Sequence, residues 1–358
     1  MSRKAGKFDL PLLIPVAILV LLSLTTLFSI NIVLFRTQLI FLIASVLIFI
    51  FFSFVNYKII QLYCVPIYIF SLVALFLVLI LGIETRGSVR WIEFLGFRAQ
   101  FSEILKPFLA ISFSTFLVTR KNSLKQLFSV FLFLMPVLIF IFLQPDLGNT
   151  LIYFFVVILT LIFFGFSYRY FISGFVMFLV AIPIFWNLLH EYQKQRILTF
   201  LDPNTDPLGT SYNAIQSLIA VGSGMLLGKG LGQGTQSALS FLPERHTDFI
   251  FATISEQLGF FGNILILACF AVILYRIYLI IRNSNDDFCK VFAATSFFII
   301  LVQFFINIGM NIGILPIVGV TLPFVSYGGS SLLSSFILIG LLSAISISQK
   351  NNEVLEIR

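Results

Sequence analysis

IIQLYCVPIYIFSLVALFLVLILGI, residues 59–83, contains no Asp, Glu, Lys or Arg. A helix rises about 1.5 Å per residue and needs roughly 20 apolar residues to cross the hydrocarbon of a bilayer. This run has that length, and it decides the fold because the chain repeats it. Working outward, similar runs lie at roughly 10–35, 38–55, 102–119, 127–144, 149–167, 170–190, 249–281, 289–314 and 329–347. The fourth is the least regular, with Glu103, Lys106 and Pro107 near its start. Composition agrees: 59% of the 358 residues are hydrophobic, 10% are charged, and the mean hydropathy is +1.07. No soluble core uses that much apolar surface. The expected fold class is therefore all-α, a polytopic membrane protein of about ten transmembrane helices forming a single domain over 1–358. Met1–Lys7 is basic and leads into an apolar run too long for a signal-peptide core, without a small-residue cleavage site, so this span is expected to stay as an anchor. Cys64, Cys269 and Cys289 have neither disulfide nor metal-ligand spacing.

Basic residues orient the spans. Arg3, Lys4, Lys7, Lys58, Arg120, Lys121, Lys125, Arg169, Arg276, Arg282, Lys290 and Lys350 all fall on one side, which the positive-inside rule makes cytoplasmic. An even number of spans places both termini there. Three larger segments face the other side: 84–101, 191–248 and 315–328. The long loop between spans seven and eight exceeds an ordinary connection and is a functional suspect. Against the topological bias, these segments carry Arg86, Arg90, Arg98, Lys194, Arg196, Lys229 and Arg245, with Lys106 just inside the next span. An anionic ligand at the outer leaflet would explain them; pairing with Glu84, Glu93, Glu191 and Asp202 is the simpler alternative.

The densest polar stretch is PERHTDFIF, 243–251. Unpaired charge near hydrocarbon is costly, so carboxylates, a cation and a histidine clustered at the edge of a span call for a reason. Asp248 is expected to open span eight as a first-turn acid or to do chemistry, and a helix continuous from Pro243 is compatible with the pattern. Ser102 can cap a helix, and Glu103 and Lys106, one turn apart, either neutralise each other or leave Lys106 to meet phosphate. Trp91 is an interface anchor or a platform for lipid or sugar. Asp146, in QPDLGNT (144–150), reads as a helix N-cap. The glycine-dense run 222–234 lacks the strand of a dinucleotide fold, and Lys229 precedes Gly230 rather than Ser or Thr. A loop whose backbone closely approaches a ligand is expected instead. GVTLPFVSYGGSS, 319–331, breaks the apolar pattern at membrane depth, and with Ser326 it is expected to wall a cavity.

Together these pieces resemble the SEDS family (shape, elongation, division and sporulation). They are Arg90-Trp91-Ile92, Gln100 to Lys106, QPDLG (144–148), PERHTDFIF (243–251) and LPFVSYGGSS (322–331), in the family's order and spread over nearly the whole chain. Within the most specific of them, Arg245 resembles the elongation branch. Phe101, where the family often has Pro, and Asn149 depart mildly. The resemblance implies a peptidoglycan glycosyltransferase polymerising lipid II, a disaccharide-pentapeptide on undecaprenyl pyrophosphate, at the outer leaflet. It also implies Asp248 as the residue on which the reaction depends and a class B penicillin-binding protein as partner.

The chemistry expected is attack of one sugar's 4-hydroxyl on another's anomeric carbon, with polyprenyl pyrophosphate leaving. Asp248 would be the base, tuned by Glu244 through like-charge proximity. Arg90, Lys106, Arg196, Lys229 and Arg245 would hold pyrophosphate, and Trp91, Glu103, Glu244 and Ser326 complete the candidate substrate contacts. A divalent cation, Mg²⁺ or Mn²⁺, could assist, with no metal ligands assigned; no nucleotide cofactor and no nucleic acid partner are expected. The competing classes are a lipid II flippase, to which broken spans are suited, and a non-catalytic scaffold for a transpeptidase.

Overall fold

The computed structural model describes residues 9–85, 88–94, 97–119, 124–189, 191–202 and 211–356. Its helices are α1 (Leu10–Ile30), α2 (Ile32–Phe54), α3 (Tyr57–Leu62), α4 (Cys64–Leu81), α5 (Phe101–Ile104), α6 (Lys106–Val118), α7 (Leu124–Leu143) and α8 (Leu147–Phe163). They continue with α9 (Tyr168–Leu188), α10 (Glu191–Leu201), α11 (Tyr212–Ser223), α12 (Thr235–Ala238), α13 (Ile250–Asn283), α14 (Asp287–Asn311) and α15 (Gly329–Glu356). Each of the ten apolar runs is helical. Among the described residues, seven helices are long and apolar enough to cross a membrane, and α6, α8 and Tyr168–Ile184 are shorter apolar helices.

Breaks within and between spans follow local chemistry. Span two starts at Ile32 rather than near 38, because extended Asn31 ends α1 and its side chain accepts from the Val33 N–H. Asn56, Asp146 and Asp286 cap α3, α8 and α14 in the same way. Span three is divided at Tyr63 and span four at Leu105. Ser102 does not cap: Gln100 is the N-cap position of α5, and the Ser102 hydroxyl points to Asp146. The long helix α13 is interrupted at Gly259, whose φ of 65° and ψ of −154° leave the helical region. The 84–101 loop holds a small antiparallel meander, β1 (Ile83–Thr85), β2 (Ser88–Phe94) and β3 (Phe97–Ala99). Its β-branched and aromatic residues suit strands.

Packing is that of a membrane bundle. Phe51, Phe54, Phe70, Met177 and Val180 are exposed, while Ser, Thr, Asn and Gln lie inside. Buried hydroxyls such as Ser45, Ser53, Thr160 and Ser296 donate to carbonyls one turn back, which satisfies them within their own helix. The inner helix α15 lies against α2 at its glycines: a Cβ on Gly340 would stand 3.0 Å from the Phe49 carbonyl oxygen. One layer of connections, 97–100, 144–149, 243–249 and 318–331, meets at one end of this bundle and forms the candidate site.

Candidate active site

Residues 243–249 are a tight turn and not a helical start. Glu244 has φ 52°, and its carbonyl accepts from the N–H groups of Thr247 and Phe249. Thr247 Oγ1 stands 3.1 Å from Glu244 Oε2, which ties the carboxylate back onto the turn. Phe249 is the N-cap of α13, so Asp248 lies outside the first helical turn. The expected first-turn acid and the continuous helix from Pro243 are both corrected by this geometry. Asp248 is partly exposed, and it sits where the positive end of the α13 dipole favours negative charge.

Two neighbouring segments hold the turn. The Ser326 hydroxyl donates to the Thr247 carbonyl at 2.7 Å and accepts from the Leu322 N–H at 2.8 Å, and the Tyr327 N–H donates to the His246 carbonyl. The His246 and Tyr327 rings meet edge to face. Burial pushes the Tyr327 phenol above its ordinary pKa, so it stays neutral there. Gln38, from α2, donates to the Ser326 carbonyl and accepts from the Gly328 N–H. From α14, Asn307 and Asn311 each donate to the Asp248 carbonyl at 3.0 Å. Gly319 faces the carboxylate itself: a Cβ there would be 3.3 Å from Asp248 Oδ2, and its φ of 72° is left-handed.

Behind this lies a buried polar cluster. Asp146 Oδ2 accepts from Gln100 Nε2 at 2.7 Å, Ser102 Oγ at 3.0 Å and Asn149 Nδ2 at 2.9 Å. Gly148 lets the start of α8 touch 318–320, since a Cβ would fall 2.8 Å from the Val318 carbonyl oxygen. The cluster is thus continuous with the loop that faces Asp248.

The family model FtsW/RodA/SpoVE, described as cell cycle protein, matches residues 7–351. The chain belongs to this SEDS family. It is 41% identical over 290 residues to the Escherichia coli peptidoglycan glycosyltransferase MrdB, covering 79% of this chain and 78% of that one. It is 40% identical over 276 residues to a probable peptidoglycan glycosyltransferase FtsW of Wigglesworthia glossinidia brevipalpis, covering 74% and 71%. Among solved structures, the Thermus thermophilus rod shape determining protein RodA superposes with a TM-score of 0.72 at 25% identity, covering 94% of this chain and 96% of that one. A chain from work on polymerization and crosslinking by a peptidoglycan synthase complex gives a TM-score of 0.83 at 27% identity, covering 96% and 98%.

In this SEDS chain the sequence-predicted cations have mostly found protein partners. Lys106 is buried, with Nζ 2.7 Å from Glu103 Oε1, while its stem lines an apolar cavity with Phe133, Tyr153 and Thr295. Lys229 Nζ stands 3.1 Å from Glu256 Oε1. Arg90 donates to the Pro145 carbonyl, which docks β2 on the start of α8, and Trp91 in that strand pairs with Ile83. Arg98 pairs with Glu93. Arg245 Nη1 donates to Ser240 Oγ at 2.6 Å, and partial burial lowers its pKa from the ordinary arginine value. The backbone of Arg196 lies in α10, and its side chain falls outside the described residues, as does Arg86.

Two glycines of the run lie tight against the backbone of α13. A Cβ on Gly224 would lie 1.8 Å from the Ser255 carbonyl oxygen, and one on Gly228 2.2 Å from that of Gln257. Gly319 belongs to the stretch expected to wall a cavity, whereas Asn307, Asn311 and Gln38 were absent from the sequence-derived site. Two amides one turn apart within an apolar span were the available signal, because polar groups at that depth need partners.

Proposed function

We propose that this chain polymerises lipid II into glycan strands, as a peptidoglycan glycosyltransferase, with Asp248 as the general base. The carrying observation is the Asp248 turn, held outside its helix by α14 and by the 319–328 loop, with the carboxylate against a glycine. The 4-hydroxyl of one sugar attacks the anomeric carbon of the other, Asp248 takes the hydroxyl proton, and undecaprenyl pyrophosphate leaves with inversion in a single displacement. Such a base supplies about 10²–10⁴-fold. Pyrophosphate leaves without a general acid, so the paired carboxylates of glycosidases are not required. Arg245, three residues from Asp248, and Arg90 are the preferred pyrophosphate contacts, because Lys106 and Lys229 already neutralise internal carboxylates. Glu103 and Ser326 support the site from within, and Trp91, Arg196 and Glu244 remain candidate contacts at its rim.

A divalent cation fits as a companion of the substrate. No group of three or more His, Cys, Asp or Glu able to hold a metal occurs among the described residues. Mg²⁺ is commonly held by one or two carboxylates together with substrate phosphates. Such an ion would neutralise charge on the leaving group.

The chain lies in the cytoplasmic membrane with both termini inside, as the basic-residue bias supports. It acts in elongation, for which Arg245 and the likeness to MrdB and RodA speak. Its partner is a class B penicillin-binding protein, a reading supported by the likeness to a peptidoglycan synthase complex. The broken α13 suits a flippase, but the polar groups at that break are satisfied by the protein itself. Purified protein supplied with lipid II, with and without the partner and Mg²⁺ or Mn²⁺, is expected to yield glycan, and Asp248→Asn to yield none. Equal glycan from both would remove Asp248 as the base. Lipid II translocation without glycan from the wild type would favour the flippase.

A further inference from the structure

We infer that Asn311, backed by Asn307, positions the reactive carboxylate by standing in for a helical hydrogen bond; this rests on the proposed role of Asp248. In a helix continued backward by one residue, the Asp248 carbonyl would accept from the Ala252 N–H. Here each of those groups meets a side chain instead. Asn311 Nδ2 donates to the Asp248 carbonyl at 3.0 Å, and Asn311 Oδ1 accepts from the Ala252 N–H at 3.1 Å. One side-chain amide is thus inserted between the two groups and satisfies both. Asn307 fills the second lone pair of the same carbonyl at 3.0 Å. α13 accordingly begins at Ile250, after the Phe249 N-cap.

The wedge is fixed on every side. Asn307 and Asn311 are fully buried. Asn311 Nδ2 also donates to the Asn307 carbonyl at 2.8 Å, and Ser217 Oγ donates to the Asn311 carbonyl at 2.9 Å. Asn307 Nδ2 also holds the Val320 carbonyl at 2.6 Å, next to Gly319, the residue that faces Asp248 Oδ2. The pair therefore sets both the carboxylate and its wall. A donor and an acceptor on one short planar group are required; Asp lacks the donor and Leu lacks both.

Removing the wedge lets Asp248 and Ala252 pair with each other, so no buried backbone group need be orphaned. The helix would gain a residue, Asp248 would become its N-cap, and the carboxylate would leave its place against Gly319. Misplacement of a reacting group by about 1 Å can cost on the order of 10²-fold in rate. Asn311→Ala is therefore expected to lower kcat for lipid II polymerisation about 10²-fold, with KM changed less than about threefold and the unfolding temperature nearly unchanged. Asn311→Ser, which keeps a donor and an acceptor, should recover part of kcat. If Asn311→Ala does not fold, Asn311→Ser is measured for the same kcat-against-KM split. Wild-type kcat in a folded Asn311→Ala, or a loss shared equally by KM and stability, would overturn the inference. Asp248→Asn run alongside separates the two claims: if it keeps full activity the base assignment fails, and if it is inactive while Asn311→Ala is fully active the wedge alone fails.

Discussion

Asp248 takes its position from its backbone, not from a helix cap. Its carbonyl is held by two amides of α14, and the Thr247 carbonyl beside it by Ser326. The side chain is left against Gly319, the residue where shape matters most. Gly319→Ala would place a methyl group 3.3 Å from Oδ2 at a φ of 72°, and a left-handed non-glycine residue costs about 1–2 kcal/mol. Turnover per folded molecule is expected to fall at least tenfold, with the protein still extractable as a monodisperse species; unchanged turnover would show that the wall does not constrain the carboxylate. The charged residues of the site were legible in the sequence because charge is rare in this chain. The Lys106–Glu103 and Arg98–Glu93 pairs were legible too, as neighbours in sequence, whereas the Lys229–Glu256 pair was not, since it closes across the loop before α13, which local pattern does not encode.

At the scale of elements, the glycine run and the break in α13 form one device. Interrupting the helix at Gly259 leaves the carbonyls of Glu256 and Gln257 and the N–H groups of Phe260 and Phe261 without intrahelical partners. The run supplies them: the Lys229 and Gly230 N–H groups donate to the two carbonyls at 2.9 and 3.0 Å, and the Met225 and Leu226 carbonyls accept from Phe260 and Phe261 at 2.8 and 3.4 Å. The Glu256 carboxylate then caps α12 through the Gln236 and Ser237 N–H groups, each at 2.9 Å. Glu256→Ala leaves the Gln236 and Ser237 N–H groups without their acceptor, and a buried polar group so stranded costs about 1–3 kcal/mol. A marked drop in unfolding temperature in detergent is expected, and a drop of similar size for Gly224→Val, whose side chain would enter the Ser255 carbonyl. A wild-type unfolding temperature for either would contradict the interlock. Hydropathy made the spans legible but hid this break, because Gly259 sits in an apolar run and its left-handed φ leaves no trace in composition.

For the molecule as a whole, the buried Lys106–Glu103 pair lies between the polar cluster around Asp146 and the apolar cavity below. Lys106→Met alone leaves Glu103 buried without its cation and should destabilise by about 3–5 kcal/mol, whereas Lys106→Met with Glu103→Leu should recover most of that loss. Thermal unfolding of the three proteins checks this, and equal stability of single and double variants would refute it. The ten apolar stretches, and the segments between them that meet at one end of the bundle, were legible from hydropathy. The β-meander and the shift of the first turn to Asn31 were not, because both arise from local hydrogen bonding within short loops.

The most direct test of the central claim separates binding from chemistry at Asp248. Equilibrium binding of lipid II and single-turnover formation of the first glycosidic bond would be measured on the same purified protein, wild type beside Asp248→Asn. The proposal predicts affinities within about threefold and bond formation slowed by about 10²–10⁴-fold in the variant. Bond formation at the wild-type rate, or a rate loss explained wholly by lost binding, would contradict it.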